Sequence, residues 1–448
     1  MFLTEAAGFC MEKLEQAGFE AYAVGGCVRD SLLGLTPHDY DLCTNATPRE
    51  TARLFSGHTL VRSGEKHGTI GVVVDKQVIE ITTFRTEGGY RDSRHPDWVR
   101  FVSGVEEDLS RRDFTINAMA YNPRRGYIDP FGGQVDLQNK ILRTVGNPEE
   151  RFSQDALRIL RGVRFGVRFG LTPEKTTLSA MKELAPLIEH LARERVFDEL
   201  CKLLPLVKAA DLLEYTPVLV QVLPPLAPCV GFLQHNPHHL YDVYAHTAQV
   251  VEGTPPDLAL RWAALLHDCG KPDTFYLDEN GRGHFHGHAK VSAEKADALL
   301  LSLKAPTALR ERVVFLIAHH MSPLEPDKRL LRRRLGNYGL QQTLDLLTLQ
   351  ESDFGGKGAE EQDDAFTQVR CLLEEILAED ACLTVQDLQI NGRDLLAVGF
   401  PAGKALGSCL GYLLEQVQDE RLPNDRDALL KQAKLFLQDG VFATKEER

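Results

Sequence analysis

The chain has 448 residues, of which 43% are hydrophobic and 26% are charged, a composition typical of a globular protein with more than one domain. Its net charge of −13 argues against a simple nucleic-acid-binding module, which would carry a basic excess. The sequence lacks an apolar run of about 18 residues, and its N-terminal segment carries acids where a signal peptide carries basic residues. We therefore expect a cytoplasmic protein without a membrane partner.

The first chemical motif follows a short apolar segment. Residues 21–32 read AYAVGGCVRDSL, which predicts a strand, a glycine turn and a helix. Because glycines let a backbone approach a ligand closely, Gly25 and Gly26 are candidates for a phosphate-binding turn, and Arg29 could add a charge-assisted contact. A plain turn is the alternative, and for this pattern alone it is the commoner one.

Paired carboxylates come next along the chain. Asp39 and Asp41 alternate in a predicted strand and would share one face, an arrangement that suits Mg²⁺ because a metal relieves their repulsion. A second predicted strand, residues 78–85, carries Glu80 among apolar residues and could place a third carboxylate beside the pair. A turn or a helix N-cap is the alternative for the pair. Three acids beside a glycine turn indicate two-metal phosphoryl or nucleotidyl transfer.

Further motifs appear in order: RRDFTINAMAY at residues 111–121 and DALRILRGVRFG at residues 155–166. Together with GGCVRD, DYDLCT and IEITTFR, they resemble the bacterial class II tRNA nucleotidyltransferases, the CCA-adding enzymes of the poly(A) polymerase superfamily. The resemblance covers about the first 205 residues. It implies template-independent addition of CMP and AMP, from CTP and ATP, to the 3′ end of tRNA, with no DNA partner. A poly(A) polymerase, or an enzyme adding only A or only CC, remains open.

The resemblance also implies roles for individual residues. Asp39 and Asp41 would hold Mg²⁺ and catalyse, with Glu80 as a helper. The residues expected to bind nucleotide are Gly25, Gly26, Arg29, Arg112, Asp113, Asp155, Arg158 and Arg161.

Two of these residues bear on the choice of base. Asp155 and Arg158 stand three apart on a predicted helix and would share a face; spacing alone favours a surface ion pair. The resemblance implies instead that they read the Watson–Crick edge of the base. Gln154 replaces the family's glutamate, which leaves the specificity between C and A open.

A polar segment separates the third carboxylate from the later motifs. Residues 85–101 are rich in glycine and charge, with little apolar periodicity, and predict a mobile loop. The resemblance implies that this loop assists the switch from adding C to adding A.

A second constellation lies between residues 235 and 353. Its histidines and aspartates recur at the ends of apolar helical runs and resemble the ligand order of HD-domain phosphohydrolases. His246, His267, Asp268 and Asp353 would bind one divalent transition metal ion or Mg²⁺. His288, with His319 or His320, would bind a second ion. The candidate ligands are His246, His267, Asp268, Asp353, His288, His319 and His320. A degenerate fold kept for helical packing is one alternative, and an HD phosphohydrolase whose head only binds RNA is another.

These patterns predict an α+β protein. A nucleotidyltransferase head with a small mixed β-sheet would occupy residues 1–145, followed by an all-α nucleotide-recognition neck at 146–205. A helical HD metal-binding domain would occupy residues 206–355, and a helical tail contacting tRNA residues 356–448.

Overall fold

The computed structural model describes residues 3–88, 98–235, 240–356, 364–379 and 381–438. Within them the chain forms two compact units: one runs to Ala227 and includes Leu299–Ala305, and the other comprises Pro228–Ala298 and the residues from Pro306 onward. The first is mixed α+β and the second almost entirely helical, which confirms the predicted class and the N-terminal mixed sheet. No helix in these ranges is long and apolar enough to cross a membrane. The bounds of the four predicted domains stay predictions.

The N-terminal half alternates helices and strands. Its helices are α1 Glu5–Gln16, α2 Gly26–Leu32, α3 Pro48–Leu54, α4 Val105–Ser110, α5 Gly133–Gln138, α6 Pro148–Gln154, α7 Leu157–Phe169, α8 Lys175–Leu184, α9 Arg193–Leu203, α10 Ala209–Glu214 and α11 Thr216–Val222. Its strands are β1 Ala21–Val24, β2 Asp41–Thr44, β3 Thr59–Val61, β4 Thr69–Val74, β5 Gln77–Thr83, β6 Arg85–Gly88, β7 Trp98–Phe101, β8 Ala120–Asn122, β9 Gly126–Ile128, β10 Ile141–Leu142 and β11 Thr172–Pro173.

A seven-stranded sheet in the order β3-β4-β5-β2-β1-β8-β9 organises this unit. Alternate apolar side chains of its strands are buried, among them Ile79 and Ile81 of β5, so the pleat fixes which side chains of each strand face the core. Strand β2 runs antiparallel to β1 and parallel to β5. The register of β2 on β5 sets Asp41 directly opposite Glu80, as the predicted third carboxylate requires.

The polar segment at residues 85–101 is more ordered at its ends than predicted. Strands β6 and β7 pair antiparallel, from Arg85 opposite Phe101 to Gly88 opposite Trp98. The prediction of a loop over the whole segment is therefore wrong, because the backbone N–H and C=O groups at its two ends pair with each other as strands. The middle of the predicted loop lies outside the described residues.

The second half is helical. Its helices are α12 Val243–Gly253, α13 Leu258–Leu266, α14 Lys271–Thr274, α15 His288–Ser302, α16 Thr307–His319, α17 Lys328–Tyr338, α18 Leu340–Gly355, α19 Asp364–Ala378, α20 Gly392–Ala397, α21 Lys404–Gln418 and α22 Arg426–Gln438. Strands β12 Tyr276–Leu277 and β13 Gly283–His284 form a small hairpin. Short 3₁₀ helices lie at Glu65–His67, Thr115–Asn117, Ala185–His190, Pro224–Cys229 and Val385–Asp387.

Candidate functional site

The carboxylates of the head meet at the N-terminal end of β2. Asp41 begins that strand, Asp39 lies two residues before it, and Glu80 is its neighbour on β5. Asp39 therefore lies in the segment just before the strand, whereas the sequence predicted it within the strand. Loss of hydration raises the pKa of Asp41 to about 6, with Glu80 and Asp39 adding repulsion and Arg112 opposing it. A site whose carboxylates repel one another fits a hard divalent cation.

The backbone conformation at position 25 and the nearby Arg112 side chain both require glycine there. Its φ of 77° lies in the left-handed region, and an added Cβ would come 2.9 Å from Nη1 of Arg112. The Nη2 atom of Arg112 lies 3.3 Å from Oδ2 of the fully buried Asp108. Arg112 is thus anchored at one end beside the glycine turn, and its charge acts on Asp41, so the predicted nucleotide-binding arginine faces the carboxylates.

The structure corrects the predicted phosphate contact of Arg29. Its side chain is buried, its Nε donates to Asp30 Oδ1 over 2.8 Å, and its Nη1 donates to Asn117 Oδ1 over 2.5 Å. The guanidinium also stacks on Phe169, 4.4 Å from the ring centroid. Because these groups occupy it, a phosphate contact would require Arg29 to leave them. Its position is that of a support for the glycine turn.

Asp113 and Arg161 form a pair beneath the site. Oδ2 of Asp113 accepts from Arg161 Nε over 2.8 Å, and Oδ1 accepts from Asn117 Nδ2 over 3.0 Å. Burial acts to raise the pKa of Asp113, but Arg161 and these hydrogen bonds outweigh it and hold that pKa well below its usual range. Asp113, 8% exposed, therefore holds helix α7 through its charge on Arg161.

Replacing Asp113 with asparagine should cost about 2 kcal/mol of unfolding free energy at pH 7, because a charge-assisted buried pair is broken. The folded pKa is depressed, so this contribution is present above about pH 4 and is lost as pH falls further. Urea unfolding of both proteins from pH 7 to pH 3 measures it. A gap between them that stays constant in acid would contradict the ionic origin.

The prediction that Asp155 and Arg158 share one helix is wrong. Helix α6 ends at Gln154, Asp155 is extended with φ −147° and ψ 101°, and α7 begins at Leu157. Oδ1 of Asp155 accepts from the backbone N–H of Leu157 over 3.1 Å, which satisfies a free donor at the helix start and favours the break. Oδ2 of Asp155 pairs with Nη2 of Arg195 at 2.8 Å.

Arg158 is fixed by three acceptors. Its Nη1 donates to Gln154 Oε1 over 3.1 Å and to the carbonyl of Arg151 over 3.3 Å, and its Nη2 donates to the carbonyl of Arg111 over 3.2 Å. Gln154 Oε1 also accepts from Arg151 Nη1 over 3.1 Å. The neutral amide thus fills the position that a glutamate's oxygen would take.

The predicted histidines of the second unit converge with two aspartates. Each of four imidazoles has Nδ1 within hydrogen-bond distance of a backbone carbonyl oxygen: His246 to Gly356 at 3.1 Å, His267 to Ala264 at 2.8 Å, His288 to Phe285 at 2.8 Å and His320 to Ile317 at 2.7 Å. Because a carbonyl only accepts, each Nδ1 must carry a proton, so Nε2 is the ring nitrogen that would coordinate a metal ion. Histidines oriented in this way are typical of metal sites.

Asp268 lies between two groups of these nitrogens. Its Oδ2 is 3.6 Å from His246 Nε2 and 3.2 Å from His267 Nε2, and its Oδ1 is 3.3 Å from His288 Nε2 and 3.9 Å from His320 Nε2. Within each group the candidate ligand atoms lie within 4.8 Å of one another. A carboxylate with one oxygen facing each group would serve as a ligand in both.

The electrostatics of this cluster fit a metal. Oδ1 of Asp353 lies 2.9 Å from His246 Nε2 and 3.5 Å from His267 Nε2. Burial lowers the pKa of His267, but Asp268 and Asp353 outweigh it and raise that pKa to about 10. His267 Nε2 is buried and completes no hydrogen bond with any residue of the described ranges. Positive charge thus stabilises the two carboxylates. A divalent ion bound by these nitrogen and oxygen donors would supply that charge.

His319 is not part of the cluster. Its ring packs against Phe315 and Tyr338, with centroids 4.6 and 5.0 Å apart, and its Nδ1 is 3.4 Å from the Tyr338 hydroxyl. Consecutive helical residues point about 100° apart, so only one of the two adjacent histidines can face Asp268. That residue is His320, and the inclusion of His319 among the ligands is corrected.

Three family models match the chain. The "Poly A polymerase head domain" matches residues 21–143, the "Probable RNA and SrmB- binding site of polymerase A" matches residues 170–229, and a model for domain 2 of tRNA nucleotidyltransferases matches residues 284–433. The CCA-adding enzyme of Levilactobacillus brevis is 35% identical over 434 residues, which cover 95% of this chain and 96% of that protein.

The chain belongs to the CCA-adding enzyme family. The predicted tRNA nucleotidyltransferase is thereby confirmed, and enzymes of the poly(A) polymerase type use a divalent metal ion. The CCA-adding enzyme of Ligilactobacillus salivarius is 51% identical over 194 residues, 43% of this chain and 48% of that protein. The crystal structure of the Bacillus stearothermophilus CCA-adding enzyme in complex with CTP matches with a TM-score of 0.72 and 28% identity, covering 98% of each chain.

Sequence reasoning missed three residues that position the side chains of this site. Asp108 anchors Arg112, Asn117 joins Arg29 to Asp113, and Arg195 holds Asp155. Arg195 lies four residues before Glu199 on α9, and Glu199 pairs with Arg164 at 2.6 Å. The periodicity of the sequence does not show whether Arg195 only stabilises the neighbouring helices or orients Asp155.

Proposed function

We propose that this chain adds CMP and AMP, taken from CTP and ATP, to the 3′ end of tRNA. The observation that carries the proposal is the register that sets Asp41 opposite Glu80, beside a glycine turn approached by Arg112. Family membership along 95% of the chain supports it. A phosphate-accessible turn next to paired carboxylates is the arrangement that nucleotidyl transfer requires.

Asp39 and Asp41 are the residues that would hold Mg²⁺, with Glu80 beside them. When bound, the metal neutralises the triphosphate and assists attack by the terminal hydroxyl of the RNA. The chain's own part is positioning: Arg112 offers a guanidinium fork, held on Asp108, toward phosphate or ribose oxygens above Gly25. The backbone of Gly25 leaves room for that approach because no side chain occupies it.

Asp155 and Arg158 are proposed to read the incoming base. The carboxylate accepts from a base amino group, and the guanidinium donates to ring acceptors. Arg195 holds the first and Gln154 the second, so both reading groups are positioned before the base arrives. Gln154 keeps the acceptor that Arg158 needs, which favours incorporation of both C and A.

Replacing Gln154 with glutamate should leave kcat/KM for CTP and ATP within about threefold, because the oxygen that orients Arg158 is kept. Replacing it with alanine should lower both by about tenfold, since a hydrogen bond to a charged group is lost. Single-nucleotide incorporation with each triphosphate measures both variants. Loss of only one nucleotide in the alanine variant would show that Gln154 itself selects the base.

A poly(A) polymerase is the nearest rival, and the choice of RNA separates the two. A tRNA transcript that lacks its CCA end should be extended by three nucleotides and then stop, and an unstructured RNA of equal length should be extended poorly. Long A tracts on both RNAs would favour the rival.

The cluster around Asp268 supports a second candidate function. We propose that it is a two-metal phosphohydrolase site, because four imidazoles are fixed through Nδ1 with their Nε2 atoms on both sides of one carboxylate. His246, His267, Asp268 and Asp353 would hold one divalent ion, and Asp268, His288 and His320 the other. Two adjacent divalent metal ions supply the chemistry for hydrolysis of phosphate esters. Lys271 Nζ, 2.7 Å from Asp268 Oδ2 and 2.9 Å from Gln234 Oε1, is positioned to bind a phosphate oxygen.

A further inference from the structure

Arg151 of helix α6 has an acceptor at each of its three nitrogens. It lies three residues before Gln154, so the two side chains leave the same face of that helix. Arg151 Nε donates to the carbonyl of Val145 over 2.8 Å, Nη2 donates to the carbonyl of Ser110 over 2.6 Å, and Nη1 donates to Gln154 Oε1 over 3.1 Å. Because these acceptors belong to three different segments of the chain, they hold the guanidinium in one orientation.

The side-chain oxygen of Gln154 accepts from two arginines at once. Arg158 Nη1 lies 3.1 Å from Gln154 Oε1, the same distance as Arg151 Nη1. An amide oxygen has two lone pairs, and these two donors use both of them. An amide nitrogen in that place would present its N–H groups to two guanidinium groups. The contacts therefore require the oxygen there, and they turn Nε2 away from both arginines.

A glutamine depends on such a second donor in a way that a glutamate does not. The two oxygens of a carboxylate are equivalent, so a glutamate would offer Arg158 an acceptor whichever way it turned. An amide rotated by half a turn instead presents its NH2 group to Arg158 and repels it. With Arg151 in place this rotation would break two charge-assisted hydrogen bonds, whereas without Arg151 it would break one.

The orientation of this amide matters because it decides where Arg158 points. Arg158 is 9% exposed, and its Nη2 is held by the carbonyl of Arg111 at 3.2 Å. We propose that Arg151 is a positioning residue for base selection: it keeps the oxygen of Gln154 toward Arg158 and thereby holds the base-reading guanidinium in place. The inference rests on the proposed reading of the base by Arg158 and deepens it, since Arg151 contacts neither the base nor the reacting atoms.

The test is a double-mutant cycle on the full-length protein, with Arg151→Met and Gln154→Glu made singly and together. The readout is the ratio of kcat/KM for CTP to that for UTP on a tRNA transcript ending at the discriminator base, because cytosine N3 accepts a hydrogen bond and uracil N3 donates one. Arg151→Met should lower this ratio by about tenfold, the effect of one hydrogen bond to a charged group, through kcat/KM for CTP. In the Gln154→Glu protein the same change should alter the ratio by less than about twofold.

Thermal unfolding separates this effect from a loss of structure. Arg151→Met also removes the hydrogen bonds to the Ser110 and Val145 carbonyls, so it should lower the unfolding temperature equally with glutamine or glutamate at position 154. Arg62→Met makes the same change at an exposed arginine and should leave both the ratio and the unfolding temperature unchanged. If Arg151→Met does not fold, Arg151→Lys gives the comparison, because its ammonium can donate to the carbonyls but lacks a second nitrogen for Gln154.

Each other outcome overturns a defined part of the account. An equal loss of discrimination with glutamine and with glutamate at position 154, or no loss with either, would overturn the inference and leave CCA addition intact. Arg158→Met tests the reader itself: if that variant discriminates as well as wild type, Arg151 has no base-reading group to position, and the inference is wrong. A wild-type protein that incorporates neither CTP nor ATP would reject the proposed function and the inference with it.

Discussion

Asp41→Asn should reduce nucleotide incorporation into tRNA by about 10³-fold or more, because several kcal/mol of metal-dependent stabilisation of the transition state is lost. Its folding should be intact or slightly more stable. Asp41 sits opposite Glu80, near Asp39, and its pKa is raised to about 6, so its charge opposes folding rather than stabilising it. Incorporation kinetics and thermal unfolding, measured on the same preparation, separate the two effects.

Asp75→Asn is the matched control for that variant. Asp75 is an exposed residue between β4 and β5 with a φ of 48°, a conformation that asparagine tolerates well. The same chemical change should therefore leave both activity and stability within experimental scatter. If Asp41→Asn kept near-normal incorporation, or lost activity only because it unfolded, Asp41 would not be the metal ligand.

Asp268→Asn should abolish tight binding of divalent metal to the second unit, since Asp268 is the carboxylate that, within the described ranges, belongs to both candidate ligand groups. Removal of a shared ligand should weaken affinity at both positions at once, by about 100-fold or more. Metal-dependent hydrolysis of phosphate esters should disappear with it, while CCA incorporation remains. Metal content after dialysis and hydrolysis rates provide the measurements.

The adjacent histidine supplies the control for the cluster. His319→Ala changes a residue next to His320 that packs on Phe315 and Tyr338, so metal binding should be unchanged, whereas His320→Ala should lose one ion. Equal metal content in wild type, Asp268→Asn and His320→Ala would show that the cluster is held by hydrogen bonds alone. That result would favour the degenerate fold kept for packing.

The sequence predicted what strand periodicity and motif order determine. The glycine turn, the carboxylate pair and Glu80 are each local in sequence, and alternation along β5 indicated the face of Glu80, whereas its register opposite Asp41 comes from the structure. The histidines and aspartates that meet around Asp268 were also named from the sequence, because several of them recur near the ends of apolar helical runs; their role as metal ligands stays a prediction.

The remaining errors concern contacts that only packing decides. Arg29 stacks on Phe169, which is distant in sequence, and Arg195 reaches Asp155 from another helix. The helix break at Asp155 arises because its carboxylate accepts from Leu157 N–H, a choice that helical spacing cannot reveal. The preference for His320 over His319 depends on the rotation of α16 about its axis.

The central claim is tested most directly by incorporation of labelled CTP and ATP, separately and together, into tRNA transcripts ending at the discriminator base, after C and after CC. We expect C on the first two ends, A only after CC, and no further addition. Addition of A alone after CC would make this a partial enzyme, and no incorporation on any end would contradict the proposed function.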